Sequence, residues 1–133
     1  TALINETWLK LHKVDGWNDR QHFLRAAAIA MRQVLVDSAR EHYAEKRGGG
    51  MQPDTMSAAE RVAAGSDDEV ILVDEALTRL QALDPRLAQV VECRFFAGYN
   101  EEETAQALGI SDRTVRRDWL KAKAWLYVEM API

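Results

Sequence analysis

The sequence predicts an all-α protein made of two small helical domains joined by a flexible linker. Apolar residues recur at three- and four-residue steps over most of the 133 residues, and no segment shows the alternation of a strand. The glycine triplet Gly48 to Gly50, with Pro53 after it, interrupts this pattern, because a glycine run is too flexible for a helix interior. We expect one domain over 1–47, an acidic flexible linker over 48–68 and a second domain over 69–133.

The first domain is predicted to contain two helices. Leu3, Trp8 and Leu11 recur at helical spacing in the first of them. After a break, Asn18 or Asp19 is expected to cap a long second helix that runs to about residue 46. A wide apolar stripe would face the core, and the remaining surface would carry Arg25, Arg32, Arg40 and Lys46.

The second domain begins with a predicted helix over about 69–82, whose apolar residues follow three- and four-residue steps. Asp84 and Pro85 end it and begin the next helix, because Asp is a favoured N-cap and Pro suits the first helical position. Gly98 is expected to end that helix. Its apolar face would carry Leu87, Val90, Val91 and Phe95.

The next segment has the capping and turn residues of a helix-turn-helix. Asn100 and Glu103 have the spacing of a capping box, Gly109 can supply a left-handed turn, and Ser111 can cap the second helix. Such a pair of helices commonly places its second helix in the major groove of DNA. The outward face of that helix would suit phosphates and guanine edges, and it consists of Arg113, Thr114, Arg116, Arg117 and Lys121.

The net charge of −4 argues, taken alone, against binding nucleic acid through bulk charge. The charges are segregated, however. Residues 20–47 contain six basic and three acidic side chains, residues 54–75 contain one basic and seven acidic, and residues 113–123 contain five basic. A charged helix face is by itself an ordinary solvated surface. Together with the glycine turn and the paired caps, it favours DNA binding.

Little in the sequence favours an enzyme. Cys93 is the only cysteine, so no internal disulfide and no thiolate metal cluster can form, and a reducing, cytoplasmic location is favoured. The three histidines lack ligand-like spacing, and Lys46 to Gly50 lacks the spacing of a phosphate-binding loop. We expect no catalytic residue, no cofactor and no metal. No apolar run approaches the roughly 18 residues that span a bilayer, so no membrane association is expected.

Several segments, in the right order, resemble a known family. The segments Gln89 to Gly98, Glu102 to Ala105 and Thr114 to Trp119 resemble the domain of bacterial sigma factors that reads the promoter minus-thirty-five element. The string TALINETWLKLH resembles the segment that docks on RNA polymerase, and HFLRAAAIAMRQVLVDSAR resembles the helix that reads the minus-ten element. The KRGGG segment after that helix is similar to a feature of the ECF-like subgroup of the extracytoplasmic-function (ECF) sigma factors. These sigma factors are of the sigma-70 type.

This resemblance implies a function and partners. An ECF sigma factor binds core RNA polymerase, through its clamp helices and flap, and directs initiation at specific promoter DNA. Glu6 and Lys10 would then dock on the polymerase, with Trp8 near the clamp or in the core. The minus-thirty-five element would contact the outward face of the helix-turn-helix.

The resemblance also implies a set of minus-ten residues. Asn18, Arg20 and Gln21 match a loop that captures a flipped base, whose unstacking requires a polar pocket. Trp17 would stack on a base or pack against the helix. On the helix itself, Arg32 and Arg40 would face DNA and Asp37 would orient an arginine.

Other interpretations stay open at this point. A transcription regulator with a LuxR-like helix-turn-helix would explain residues 83–128 but not the N-terminal part. An anti-sigma factor or a kinase is a further candidate partner, with Thr1, Thr7, Thr55 and Ser57 as candidate targets. The acidic linker would either thread toward the polymerase cleft or act as a tether. Since family members carry about one more helix before the docking segment, we also expect the chain to be N-terminally truncated.

Overall fold

The computed structural model describes residues 17–49 and 67–131, with side chains in the first helix described from Asp19 to Glu45. These residues form five α-helices and one π-helix, and they contain no strand, so the all-α prediction is confirmed. The elements in chain order are α1 (Trp17–Gly49), α2 (Asp67–Leu83), α3 (Pro85–Val91), π1 (Glu92–Phe96), α4 (Glu101–Leu108) and α5 (Asp112–Glu129). The predicted first helix and most of the predicted linker lie outside the described residues.

The ends of α1 and α2 differ slightly from expectation. The prediction that Asn18 or Asp19 caps α1 is wrong, because the helix already begins at Trp17 and Asp19 lies in its first turn. At the other end, α1 stops at Gly49, inside the glycine triplet. Helix α2 begins at Asp67, earlier than expected, so its first turn is acidic and complements the positive end of the helix dipole.

Helix α1 packs against α2, π1 and α4. It therefore contributes to both hydrophobic clusters of the described structure. Val36 joins the larger cluster, which includes Leu77, Leu80 and Val91 from α2 and α3. Ala28 and Met31 join the smaller cluster around Cys93, Ala97, Tyr99 and Ala107. The arrangement of these helices thus covers one side of the helix-turn-helix with α1.

The helix that the sequence predicted between Pro85 and Gly98 changes character part-way. It is α-helical as far as Val91, and a π-helix follows over Glu92–Phe96, closed by a bond from the Ala97 N–H to the Glu92 carbonyl of 3.2 Å. Gly98 then takes a positive φ of 72°, which ends the helix as predicted. Phe95, expected on the apolar face, is 36% exposed, whereas Phe96 is buried.

Candidate nucleic-acid interface

The helix-turn-helix is built from α4, a turn at Gly109 and α5. The Asn100 side chain accepts from the Glu103 N–H at 2.7 Å, and the Glu103 carboxylate accepts from the Asn100 N–H at 2.9 Å. This reciprocal pair is the predicted capping box. At the start of α5 the Ser111 hydroxyl accepts from the Thr114 N–H at 3.1 Å, so the predicted N-cap is also confirmed.

The turn between the two helices depends on glycine. Gly109 has φ 66° and ψ 36°, the left-handed conformation that the sequence predicted at this position. A Cβ at Gly109 would also lie 2.9 Å from Nε2 of Gln21 on α1. The N-terminal part of α1 therefore lies directly against the turn of the helix-turn-helix.

The inward face of α5 anchors the helix on the core. Val115 and Ala122 are fully buried, while Ile110 in the turn is half-buried. Asp118 is the polar exception on this face, with only 4% of its side chain exposed, and it accepts from Arg86 Nε at 2.6 Å. This hydrogen bond and the adjacent negative charge raise the pKa of Arg86. A buried carboxylate is stable here because a cation from α3 meets it.

The outward face of α5 presents the predicted basic residues to solvent. Arg113, Arg116, Arg117 and Lys121 are exposed, and Thr114 is half-buried beside the Ser111 hydroxyl at 2.9 Å. Arg116 Nε lies 3.2 Å from Glu101 on α4, and Arg117 Nε lies 4.0 Å from Asp118. Both arginine side chains are solvent-exposed, and exposed ion pairs are weak, so exchanging either contact for a phosphate costs little.

The predicted minus-ten residues occupy a different environment. Arg20 is exposed, and Gln21 is half-buried against Gly109. Arg32 has 15% of its side chain exposed and Arg40 has 56%, and both contact Asp74 on α2. The expectation that the basic residues of α1 lie on its free surface is therefore wrong for Arg32, and also for Arg25, which has 24% of its side chain exposed and contacts Glu92. The side chain of Asn18, together with Glu6 and Lys10, lies outside the described residues.

Two acidic residues that the sequence analysis did not single out bind the arginines of α1. Glu92 contacts Arg25 and Arg32, and Asp74 contacts Arg32 and Arg40. Asp37, expected to orient an arginine, is exposed and forms no ion pair with the described residues, whereas Asp74 contacts two arginines of α1. A signal for both residues exists in the sequence, since Glu92 interrupts an apolar run and Asp74 lies four residues after Val70 on the apolar side of α2.

One comparison decides the family. The family model for the ECF sigma factor matches residues 1–132, almost the whole chain. This chain belongs to the ECF sigma factor family. No curated protein and no solved structure matches it.

Membership of this family gives the sigma factor its general role. Sigma factors act in transcription initiation as DNA-binding partners of RNA polymerase, and they are not an enzyme family. Among the described residues, no helix of this sigma factor has the length and hydropathy to cross a bilayer. Residues 17–49 and 67–131 also hold no group of three or more His, Cys, Asp or Glu side chains that could bind a metal ion.

Proposed function

We propose that this ECF sigma factor binds core RNA polymerase and directs initiation at specific promoters by reading their minus-thirty-five and minus-ten elements. The observation that carries the proposal is the exposed basic face of α5, presented by a fully capped helix-turn-helix within a chain of this family. The polymerase contacts would be made to the clamp helices and the flap, with Glu6 and Lys10 in the clamp contact.

The minus-thirty-five element is assigned to the outward face of α5. Arginine donates paired hydrogen bonds to a phosphate or to a guanine edge, and lysine and threonine reach phosphates. The face is rigidly placed, because Val115 and Ala122 anchor the opposite side of α5 and Asp118 fixes it to Arg86. The residues assigned to this element are Arg113, Thr114, Arg116, Arg117 and Lys121.

The minus-ten element is assigned to α1. Arg32 and Arg40 would contact the DNA, and Asn18, Arg20 and Gln21 would hold a flipped base. Gln21 lies against the turn of the helix-turn-helix, and Arg32 and Arg40 contact Asp74 on α2, so this role requires α1 to leave both. The division into domains over 1–47 and 69–133 with a linker between them supports such movement and remains a prediction. An anti-sigma factor or a kinase that controls this step also remains a proposal.

The test of the proposed function is run-off transcription with core RNA polymerase. We expect the sigma factor to direct initiation from a promoter selected out of a randomised library, and core polymerase alone to give no such transcript. A chain that supports no initiation, yet binds palindromic duplex DNA as a dimer without polymerase, would instead be a LuxR-like regulator.

The assignment of the α5 face predicts a change in salt dependence. Arg116→Ala and Arg117→Ala should each weaken binding to minus-thirty-five DNA and reduce the slope of log affinity against log salt by about 0.9, because each arginine neutralises one phosphate. Fluorescence anisotropy over a salt series measures this slope. Arg79→Ala is the matched control, since Arg79 is an exposed arginine paired with Glu129 away from this face. An unchanged slope in both α5 variants would contradict the assignment.

A further inference from the structure

A layer of charged residues lies where α1 contacts α2 and π1. Glu92 on π1 has 7% of its side chain exposed and contacts Arg25 and Arg32, while Asp74 on α2 has 16% exposed and contacts Arg32 and Arg40. Three cations from one helix thus meet two carboxylates from two other elements. We call these five residues the clasp.

Arg32 is the centre of the clasp. Its Nε donates to Asp74 Oδ1 at 2.8 Å, its Nη1 to Glu92 Oε2 at 3.0 Å, and its Nη2 to the Asp74 carbonyl at 3.2 Å. The guanidinium carbon also lies 5.7 Å from the centre of the Phe96 ring, within the range of a cation–π contact. All three guanidinium nitrogens are therefore engaged, and this arginine cannot bind a phosphate in the same position.

We propose that the clasp holds the free sigma factor closed, with Asp74 and Glu92 occupying the arginines that contact minus-ten DNA once α1 has moved away. The inference rests on the proposed function, in which Arg32 and Arg40 belong to the minus-ten surface. It adds an intramolecular competitor: two carboxylates take the place of DNA phosphates on the same guanidinium groups.

The consequence is a free protein that binds DNA weakly. When only a fraction of molecules is competent to bind, the apparent affinity falls by that fraction. A partner that binds α1 and the C-terminal helices at separate places can bind both only when the clasp is open. Such a partner has a higher affinity for the open form and therefore favours it. Core RNA polymerase is that partner under the proposed function. The partly exposed Arg40 pair is also the part of the clasp that salt screens most readily.

The first test measures whether the clasp closes the molecule. Spin labels are attached to Gln33→Cys on α1 and Gln81→Cys on α2, both exposed positions, and the distance between them is measured by pulsed electron resonance. Each labelled chain also carries Cys93→Ala, because the buried Cys93 thiol packs with Ala28 and Met31 of α1 and would become exposed when α1 moves away. The unsubstituted chain should give one dominant narrow distance, and Asp74→Asn or Glu92→Gln should increase the population at longer distance.

Glu129→Gln is the matched control for these variants. It removes one negative charge and an ion pair of similar length, Arg79 Nε to Glu129 Oε1 at 2.7 Å, but that pair joins α2 to α5 and does not involve α1. Its distance distribution should equal that of the unsubstituted chain. Circular dichroism confirms that each variant is folded. If an acidic variant does not fold, the unsubstituted chain is measured at increasing salt concentration instead. The fraction of molecules with the longer distance between the labels must then increase with salt.

The second test asks whether opening exposes the two arginines. Anisotropy of a labelled single-stranded oligonucleotide of mixed sequence reports DNA affinity, and Asp74→Asn should raise it about ten-fold if roughly nine-tenths of the free chain is closed. In an Arg32→Gln, Arg40→Gln background the same substitution should have no effect, because the double-mutant cycle removes the shared partners. Glu129→Gln should change the affinity less than two-fold, roughly the effect of one distant exposed charge.

Several outcomes would overturn the clasp. One is a distance distribution that stays unchanged in both acidic variants and at high salt. Another is a gain in DNA affinity that persists in the background without Arg32 and Arg40, since that would indicate a general charge effect. Run-off transcription tests the proposed function separately. If the chain directs initiation but the distance between the spin labels never changes, the clasp alone is refuted. If the clasp variants open but the chain never directs initiation, the proposed function alone is refuted.

Discussion

At the scale of single residues, the described structure places each buried carboxylate against arginine. Glu92 meets two arginines from α1, and Asp118 meets Arg86 from α3. Removing a charge from water is unfavourable unless an opposite charge and hydrogen bonds replace the water, so these pairs fix which helices lie together. The sequence shows the acidic residues but not their partners, because the partners are as many as 67 residues away.

Cys93 gives a prediction at this scale. Burial, assisted by the charge of Glu92, raises the pKa of the Cys93 thiol from 9.0 to about 12. Below pH 9 the thiol is neutral in both the folded and the unfolded chain. Between pH 9 and about 12 only the unfolded chain loses this proton, so the free energy of unfolding falls as the pH rises.

We therefore expect Cys93→Ala to flatten the loss of stability above pH 9, measured by urea denaturation at a series of pH values. Part of the slope should remain, since burial also raises the pKa of Tyr99. The substitution also leaves a small cavity that lowers stability at every pH, so the slope and not the absolute value is the test. Equal slopes in the two proteins would contradict the prediction.

At the scale of elements, the helix-turn-helix depends on local signals. The capping box at Asn100 and Glu103, the left-handed Gly109 and the Ser111 cap are each formed by residues within a few positions of one another. Such motifs need no distant partner, which is why their positions could be predicted. The π-helix is different, because the residue sequence Glu92–Phe96 is equally compatible with a continued α-helix.

Gly109 gives the prediction for this element. Gly109→Ala should lower the free energy of unfolding by about 1–2 kcal/mol, because a side chain disfavours the left-handed conformation. Gly109→Asn should cost less, since asparagine tolerates that conformation. Gly98→Ala is the comparison: with φ 72° but no atom within 4 Å of the added Cβ, it should show the conformational cost without the contact that a Cβ at Gly109 makes with Gln21. Urea denaturation compares the three variants, and an unchanged stability of Gly109→Ala would show that the turn can take another conformation.

At the scale of the molecule, α1 is part of the same packed unit as the helix-turn-helix. Met31 and Ala28 pack with Cys93 and Tyr99, and the Tyr99 hydroxyl donates to the Leu24 carbonyl at 2.7 Å. Val36 joins the cluster formed by α2, α3 and α5. Since α1 shares both clusters with the other helices, its unfolding should be coupled to theirs.

Met31→Ala tests this coupling. Truncating this buried side chain should lower stability by roughly 2–5 kcal/mol, and hydrogen exchange should show protection decreasing together in α1 and α4. Gln33→Ala, at an exposed position of the same helix, should change stability by less than about 0.5 kcal/mol. If protection falls in α1 alone, α1 opens independently of the helix-turn-helix. That result would describe a molecule already open in solution.

The sequence by itself determined the helical class, the helix-turn-helix with its caps and glycine turn, and the basic face of α5. These features follow from the periodicity of apolar residues and from contacts between residues a few positions apart, so the sequence contains both partners of each contact close together. It also carried the family resemblance that the comparison over residues 1–132 confirmed.

Only the tertiary structure decided where α1 lies. Periodicity shows that one face of α1 is apolar, but it does not show which helices cover that face or which carboxylates meet its arginines. Arg32 looked like a surface residue because its partners, Asp74 and Glu92, follow it by 42 and 60 residues. Ion pairs of such long sequence separation form only when packing brings their helices together, so the sequence pattern of either helix alone does not contain them.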